Sequence, residues 1–264
     1  MFSKILVGAV ALSLIALPNA AADSHQPISH LHDIRVFGNE ILLGTHEGLY
    51  EYIDRDTFRK LGKESFDVMG LSVVGTRIYA SGHPAPGSTL PNPVGLLLSI
   101  DKGKSWKKIS LQGKVDFHFL EVANNQIYGA DSGSGDLLYS ANLGKSWKNL
   151  GKNSFSDIAI SPRVKGTALA LRDGKLYTSS DSLKSIKELK TAMTLTLLDW
   201  NKKSLLAAFG KDLLRSADSG KTWTKVKTFA AAIGSISQSD SLIVVIAGNS
   251  IFRSDNNGAS FTQK

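Results

Sequence analysis

The 264-residue chain contains no cysteine, only three methionines and seven prolines, and no histidine after residue 118. The absence of cysteine excludes disulfides and any thiolate metal site, and is compatible with an oxidising compartment. Long apolar runs are also missing, apart from residues 5–17 behind Lys4. That run is too short to span a bilayer comfortably. It is followed by Pro18-Asn19-Ala20-Ala21-Ala22, small residues suited to a signal peptidase. The expectation is a signal peptide over 1–22, with Asp23 at the mature N-terminus and the protein exported, periplasmic or secreted. Since no cysteine follows the run, a lipid-anchored start is excluded, and no later segment is apolar enough for a transmembrane span.

The charge balance is basic, 31 Lys and Arg against 23 Asp and Glu, a formal +8 that falls to +7 without Lys4. The lysines form no run. Lys102, Lys104, Lys107, Lys108, Lys145, Lys148, Lys221 and Lys225 flank a recurring motif on expected outer strands, where charge discourages edge-to-edge aggregation. This reads as a solvated rim, and no nucleic-acid partner is expected.

The motif is Ser99-x-Asp101-x-Gly103-x-Ser105-Trp106. It returns as Ser140-x-Asn142-x-Gly144-x-Ser146-Trp147 and as Ser216-x-Asp218-x-Gly220-x-Thr222-Trp223. Decayed copies run over 179–186, around Asp181, and over 254–261, around Asn256. The series resembles the Asp box, S-x-D-x-G-x-[ST]-W, also called the BNR repeat. Its Asp or Asn accepts N–H bonds within its own turn, its glycine supplies a positive φ, and its Trp buries a ring in the adjoining core.

The key residues Asp101, Asn142, Asp181, Asp218 and Asn256 are spaced by 41, 39, 37 and 38. A period near forty with short alternating strands is that of a β-propeller. Asp54, in the stretch 53–58, stands where a degenerate first copy belongs. The fold expected is therefore all-β, a six-bladed propeller of four-stranded blades. The blades are placed at about 28–65, 66–114, 115–154, 155–193, 194–230 and 231–264. In the first unit the strands A to D are expected at 32–37, 41–45, 49–53 and 58–61. The boxes are then C–D hairpins on the outer bottom of each blade, with a structural role.

All six histidines lie between residues 25 and 118. Aligning the strand A starts places His32, Met69 and His118 at one position of three neighbouring units, and His30, Asp67 and Asp116 two residues earlier on the same side. Aligning the strand B ends adds His46 with Glu47, then His83, then Asp131. Strand A leaves and strand B returns to the same mouth, so these side chains should gather at the top of blades 1–3. His30, His32, His46, Met69, His83 and His118 form a candidate set for a transition metal. The thioether favours copper, with zinc as the alternative. Asp33, Glu47, Asp67 and Asp116 are candidates for orienting the imidazoles. The loop 83–93, holding four of the seven prolines, is longer than its counterparts and is a candidate lid or protein-contact surface. A second metal idea is the start Asp23-Ser24-His25, which can form a square-planar Cu(II) or Ni(II) site.

The H-x-H, T-H-E-G-L-Y, M-G, S-G-H-P and D-F-H segments, together with the Asp boxes, resemble a bacterial group of exported BNR-repeat proteins. These are often labelled glycosyl hydrolase or sialidase-like. The resemblance covers nearly all of the mature chain and implies carbohydrate hydrolysis, but the label rests on a structural motif. A sialidase would bring an arginine triad, a Tyr/Glu nucleophile pair and an F-R-I-P motif, and Asp33-Ile34-Arg35-Val36-Phe37 is not that motif. The eight arginines form no recognisable triad. The expectation is a non-enzymatic binding protein with a metal ion or small molecule as its ligand. The alternatives are a glycoside hydrolase using Asp67, Asp116, Asp131 and Glu47, and a metal-free assembly propeller like the photosystem assembly factors that share this repeat.

Overall fold

The computed structural model describes residues 30–55 and 57–264, so the expected signal peptide, His25 and Asp56 lie outside the described residues. Six antiparallel sheets of four strands are arranged as a six-bladed β-propeller, with no helix among the described residues. Blade 1 is β1 (Leu31–Phe37), β2 (Glu40–Thr45), β3 (Gly48–Asp54) and β4 (Thr57–Lys60). Blade 2 is β5 (Phe66–Val74), β6 (Arg77–Pro84), β7 (Leu96–Ser99) and β8 (Lys107–Ser110). Blade 3 is β9 (Phe117–Ala123), β10 (Gln126–Asp131), β11 (Asp136–Ser140) and β12 (Lys148–Lys152). Blade 4 is β13 (Asp157–Ile160), β14 (Ala168–Arg172), β15 (Lys175–Ser179) and β16 (Lys187–Leu189). Blade 5 is β17 (Leu197–Trp200), β18 (Leu205–Phe209), β19 (Asp212–Ser216) and β20 (Thr224–Thr228). Blade 6 is β21 (Ile233–Gln238), β22 (Ile243–Ala247), β23 (Ser250–Ser254) and β24 (Thr262–Gln263).

Each blade is one contiguous stretch of chain, and strand order follows sequence order from the channel outwards. The second strands read as apolar runs because both faces are covered by neighbouring blades: 243–247 is buried throughout, and so is 205–208. Side chains of adjacent blades interleave into six apolar clusters, such as Leu42, Leu49, Phe66, Leu71 and Ile78 at the blade 1–2 interface. Inter-blade hydrogen bonds add to the packing. Buried Ser72 and Ser237 accept from Val122 N (3.1 Å) and Val36 N (2.9 Å), the second of which joins blade 6 to blade 1.

Five hairpins between third and fourth strands share one bonding pattern. In the clearest, Ser216 Oγ donates to Asp218 Oδ1 (2.8 Å) and accepts from Gly220 N (2.8 Å). Thr222 bonds Asp218 through its N–H (2.8 Å) and its hydroxyl (2.7 Å). The same serine and acid contacts hold Asp101 and Asp181, and Asn142 and Asn256 keep them while donating to the hydroxyl instead. The hydroxyl and N–H donors hold the carboxyls of Asp101, Asp181 and Asp218 down at about 2. The following ring packs into a blade seam: Trp106 stands edge-on to Phe66 of its own blade at 5.4 Å, against the cluster that also holds Leu42 and Leu49 of blade 1. In blade 1, β3 and β4 are joined by a tighter turn, with Asp54 opposite Thr57.

Candidate functional site

First-to-second-strand turns and the repeated hairpins lie at one end of the strands, and the second-to-third-strand turns lie at the other. The histidines are therefore on the face opposite the repeated hairpins. On that face the innermost strands of blades 1, 2, 3 and 6 each carry one extra residue against their partner. Pairing runs from Leu31↔Thr45 to Asp33↔Gly44, from Val68↔Gly82 to Gly70↔Ser81, and from Phe117↔Asp131 to Phe119↔Ala130. The unpaired residues are His32, Met69 and His118, and Gly234 is their counterpart in blade 6. A β-bulge bends a strand and re-aims the side chain at the bulge. The three residues that aligned in sequence thus share one local geometry, and all three line a cavity of about 520 Å³ at the mouth of the channel.

The imidazoles fall into two clusters, one at each of two blade seams. Between blades 1 and 2, His32 Nε2 and His46 Nδ1 lie 2.9 and 3.0 Å from the two oxygens of Asp67, and 3.2 Å from each other. Between blades 2 and 3, His83 Nε2 (2.9 Å) and His118 Nε2 (2.7 Å) meet Asp116 Oδ2. In each cluster the three donor atoms lie within 4.8 Å of one another. Asp67 and Asp116 pair in register with His83 and Ser132 respectively, directly or through a backbone bond (2.8 Å). The acid that starts each inner strand therefore sits at the seam with the preceding blade.

Asp67 and Asp116 are central to the clusters, where the sequence reading had given them an outer, orienting role. His30 stands apart from both, its ring 5.4 Å from that of His46. Glu47 occupies the turn after His46, with its N–H on Thr45 Oγ1 (3.2 Å). Asp131 does not share the register of His46 and His83. It is equivalent to Thr45 and Gly82, and Ser132 takes the histidine position. Both oxygens of Asp131 accept from Asp116 N, Gly133 N and Ser134. Those bonds outweigh burial and keep its carboxyl below the usual range.

Bonding around Asp116 is uneven. Oδ2 is met by His83, by His118 and by the Ser132 hydroxyl (2.5 Å), whereas buried Oδ1 has no hydrogen-bond partner. Burial alone would raise this carboxyl, but His118, Ser132 and the charge of His83 hold it below its ordinary value. Asp67 Oδ1 likewise accepts no well-aligned bond, although His32 Nε2 lies 2.9 Å away. In a tetrahedral site with metal–nitrogen bonds of about 2.0–2.1 Å, donor atoms stand about 3.3 Å apart, close to the 2.9–3.2 Å found here.

A second feature lies deeper and was not found in the sequence. At one register position the six inner strands carry Arg35, Ser72, Glu121, Ala159, Asp199 and Ser237, of which all but Ala159 line the channel. Arg35, Glu121 and Asp199 line both the upper cavity and a lower one of about 500 Å³, so they form the belt between them. Arg35 binds Asp33 Oδ1 (2.8 Å) and the carbonyl of Leu71 (2.9 Å). Asp157 accepts from Ile158 N (2.8 Å) and from Leu198 N of the next blade (2.7 Å). Burial raises Asp33 and Asp199 to about 6, Asp157 to about 7 and Glu121 to about 8, since one guanidinium cannot offset four carboxyls. These charges alternate with core residues on inner strands, a pattern shared with any half-exposed strand, and so carried no distinguishing signal.

The fold and site together define a six-bladed propeller with two His/Asp clusters on one rim and a carboxyl-rich belt in its channel. No family model matches the chain, and no curated protein matches it. Similar solved structures are propellers. One is YCF48 bound to a D1 peptide (16% identity, TM-score 0.52, 89% of this chain and 80% of that one). Another is the Niastella koreensis GH74 enzyme (15%, TM-score 0.57, 88% and 37%). A third is PorZ, a surface component of the type-IX secretion system of Porphyromonas gingivalis (13%, TM-score 0.58, 89% and 32%). The chain spans about a third of the length of the latter two. At these identities the likeness is one of fold alone.

Proposed function

We propose that the protein is an exported, non-enzymatic binding propeller that holds a transition metal at the mouth formed by blades 1–3. The observation that carries the reading is the pair of His/Asp clusters, each with two imidazole nitrogens on one carboxylate, and with buried Asp116 Oδ1 free of hydrogen bonds. Imidazole with carboxylate suits Cu(II) and Zn(II). Copper stands highest in the order of divalent affinities, and Met69 on the same cavity is a soft donor for the reduced ion, so copper is favoured. The channel mouth supplies access, and the bulges supply rigid placement.

Elemental analysis of protein from the exported fraction, followed by Cu(I), Cu(II) and Zn(II) titration, tests this. Binding tighter than micromolar is expected, abolished when His32, His46, His83 and His118 are all replaced by alanine. No ion bound at micromolar affinity would overturn it.

Glycoside hydrolysis is the second reading, and Glu121 is the carboxyl that best suits its acid. Asp67 and Asp116 are engaged by imidazoles and Asp131 by its turn, whereas Glu121, raised to about 8, is a carboxyl still protonated at neutral pH. Release of a fluorophore from aryl glycosides, lost in Glu121→Gln but kept in the four-histidine variant, would favour it. A protein partner at the loop 83–93 is the third. That segment is folded onto the rim, with Leu90 packed on the blade 1–2 core and Asn92 Oδ1 3.4 Å from His83 Nδ1.

A further inference from the structure

We infer that the mouth holds two metal ions, one in each blade seam, with the seam between blades 2 and 3 the tighter site. The inference rests on the metal-binding reading above and deepens it, since the sequence pattern had suggested one shared ligand set.

Repeat register carries the argument. Each seam takes the histidine that follows one blade's second strand and the aspartate that opens the next blade's inner strand: His46 with Asp67, and His83 with Asp116. Each adds one bulge residue from an outer blade of the three, His32 from blade 1 and His118 from blade 3. The bulge residue of the middle blade, Met69, lines the same cavity as His32 and His118. Both seams thus combine two imidazoles with one carboxylate, although the bulge histidine comes from the first blade at one seam and from the second blade at the other. Nothing comparable follows in blades 4 and 5, whose inner strands pair without the extra residue. At the seam between blades 6 and 1, Gly234 takes the bulge position. The six donors fall into two separate groups, His32 with His46 and Asp67, and His83 with Asp116 and His118, each within 4.8 Å of itself.

The two sites differ in support. Asp116 is 5% exposed and is gripped by the Ser132 hydroxyl, and His83 is held from its far side by Asn92. In the other cluster the His46 side chain is 55% exposed, with the His30 ring 5.4 Å away. Groups that orient ligands are worth about 10–100-fold in metal affinity, and the blade 2–3 site should be tighter by that factor.

Native mass spectrometry of the full mature chain, titrated with Zn(II) or Cu(II), counts the ions. Two are expected, filling in separate steps. His46→Ala should remove the weaker step alone and His83→Ala the tighter step alone; both side chains are partly exposed, and unchanged thermal melting would confirm the fold. Met69→Leu should weaken Cu(I) binding and leave Zn(II) binding unchanged. A single ion lost in both histidine variants would overturn the two-site inference while leaving a metal-binding protein. Two ions of equal affinity would overturn the ranking. No ion in the unaltered chain would overturn the proposed function itself.

Discussion

Glu121 stands in the channel belt beside Arg35, with Asp199, Asp157 and Asp33 near enough to repel its charge. Burial is the larger effect, and together they raise its carboxyl from 4.5 to about 8. In the unfolded chain the group ionises at its ordinary value. Below that value both states hold the proton and folding carries no penalty. As pH rises towards 8, folding must take up a proton or bury a charge, so stability falls across this window and levels beyond it. Asp157, raised to about 7, adds to the same slope. Glu121→Gln has no proton to lose, so its melting temperature should match the parent near pH 4.5 and exceed it at pH 8. Each kcal/mol recovered corresponds to about 2–4 °C in a chain of this size. Parallel melting curves over pH 4.5–8 would show that Glu121 ionises normally. At this scale the sequence spoke clearly for histidine, which is scarce and clustered. It was silent on Glu121 and Arg35, because a buried charge and an exposed one look alike until the channel closes around them.

Strands and turns convert those residues into sites, and Gly82 shows how tightly. It lies at the end of β6 with φ +146°, and a Cβ there would stand 1.8 Å from the carbonyl oxygen of Asp67. Only glycine lets the strand bearing His83 pass so close to the strand bearing Asp67. Gly82→Ala must push the two apart, at a cost of at least about 2 kcal/mol, and it displaces members of both clusters. Metal affinity should fall more than tenfold at each site. Gly75→Ala is the control: it too has positive φ, in the turn at the opposite face, but nothing lies within 4 Å of the added atom. It should cost about 1 kcal/mol with metal affinity unchanged. Equal metal affinity in the two variants would disconnect the glycine from the sites. Element positions were legible because alternation and hairpin residues recur with the repeat: 32–37 was expected for the strand observed as Leu31–Phe37. The bulges were not. An extra residue shows only against its hydrogen-bonded partner, which is why Asp131 was aligned one place away from its true equivalents and Ser132 was missed.

The ring as a whole has one seam unlike the others. Five seams are crossed by the chain as it passes from an outer strand to the next inner strand, whereas among the described residues blades 6 and 1 meet with no strand exchanged and no connecting segment. They are joined by Ser237 Oγ accepting from Val36 N, Ser239 Oγ donating to Gly38 O (2.8 Å), Ser241 Oγ donating to Asn39 Oδ1 (2.5 Å) and Arg253 bonding Asn39 O (3.0 Å). The repeat spacing announced six blades but held no information on closure, which depends on contacts about 200 residues apart in the chain. Separation across this seam loosens no connecting loop and gains the most chain freedom, so the ring should open here first. Ser72 performs the duty of Ser237 at the seam of blades 2 and 3, which gives a matched pair. Removing either buried acceptor should cost about 1–3 kcal/mol in global stability. Hydrogen exchange should separate them. Ser237→Ala is expected to accelerate exchange in β1 and β21 well below the global unfolding limit, while Ser72→Ala shifts all blades together. Since β1 carries His32, one of the three groups of the first His/Asp cluster, opening at this seam also disturbs that cluster before the second. Metal added to the parent should therefore slow exchange in β5 and β9 more than in β1, and uniform protection across the inner strands would show that the ring yields as a single unit.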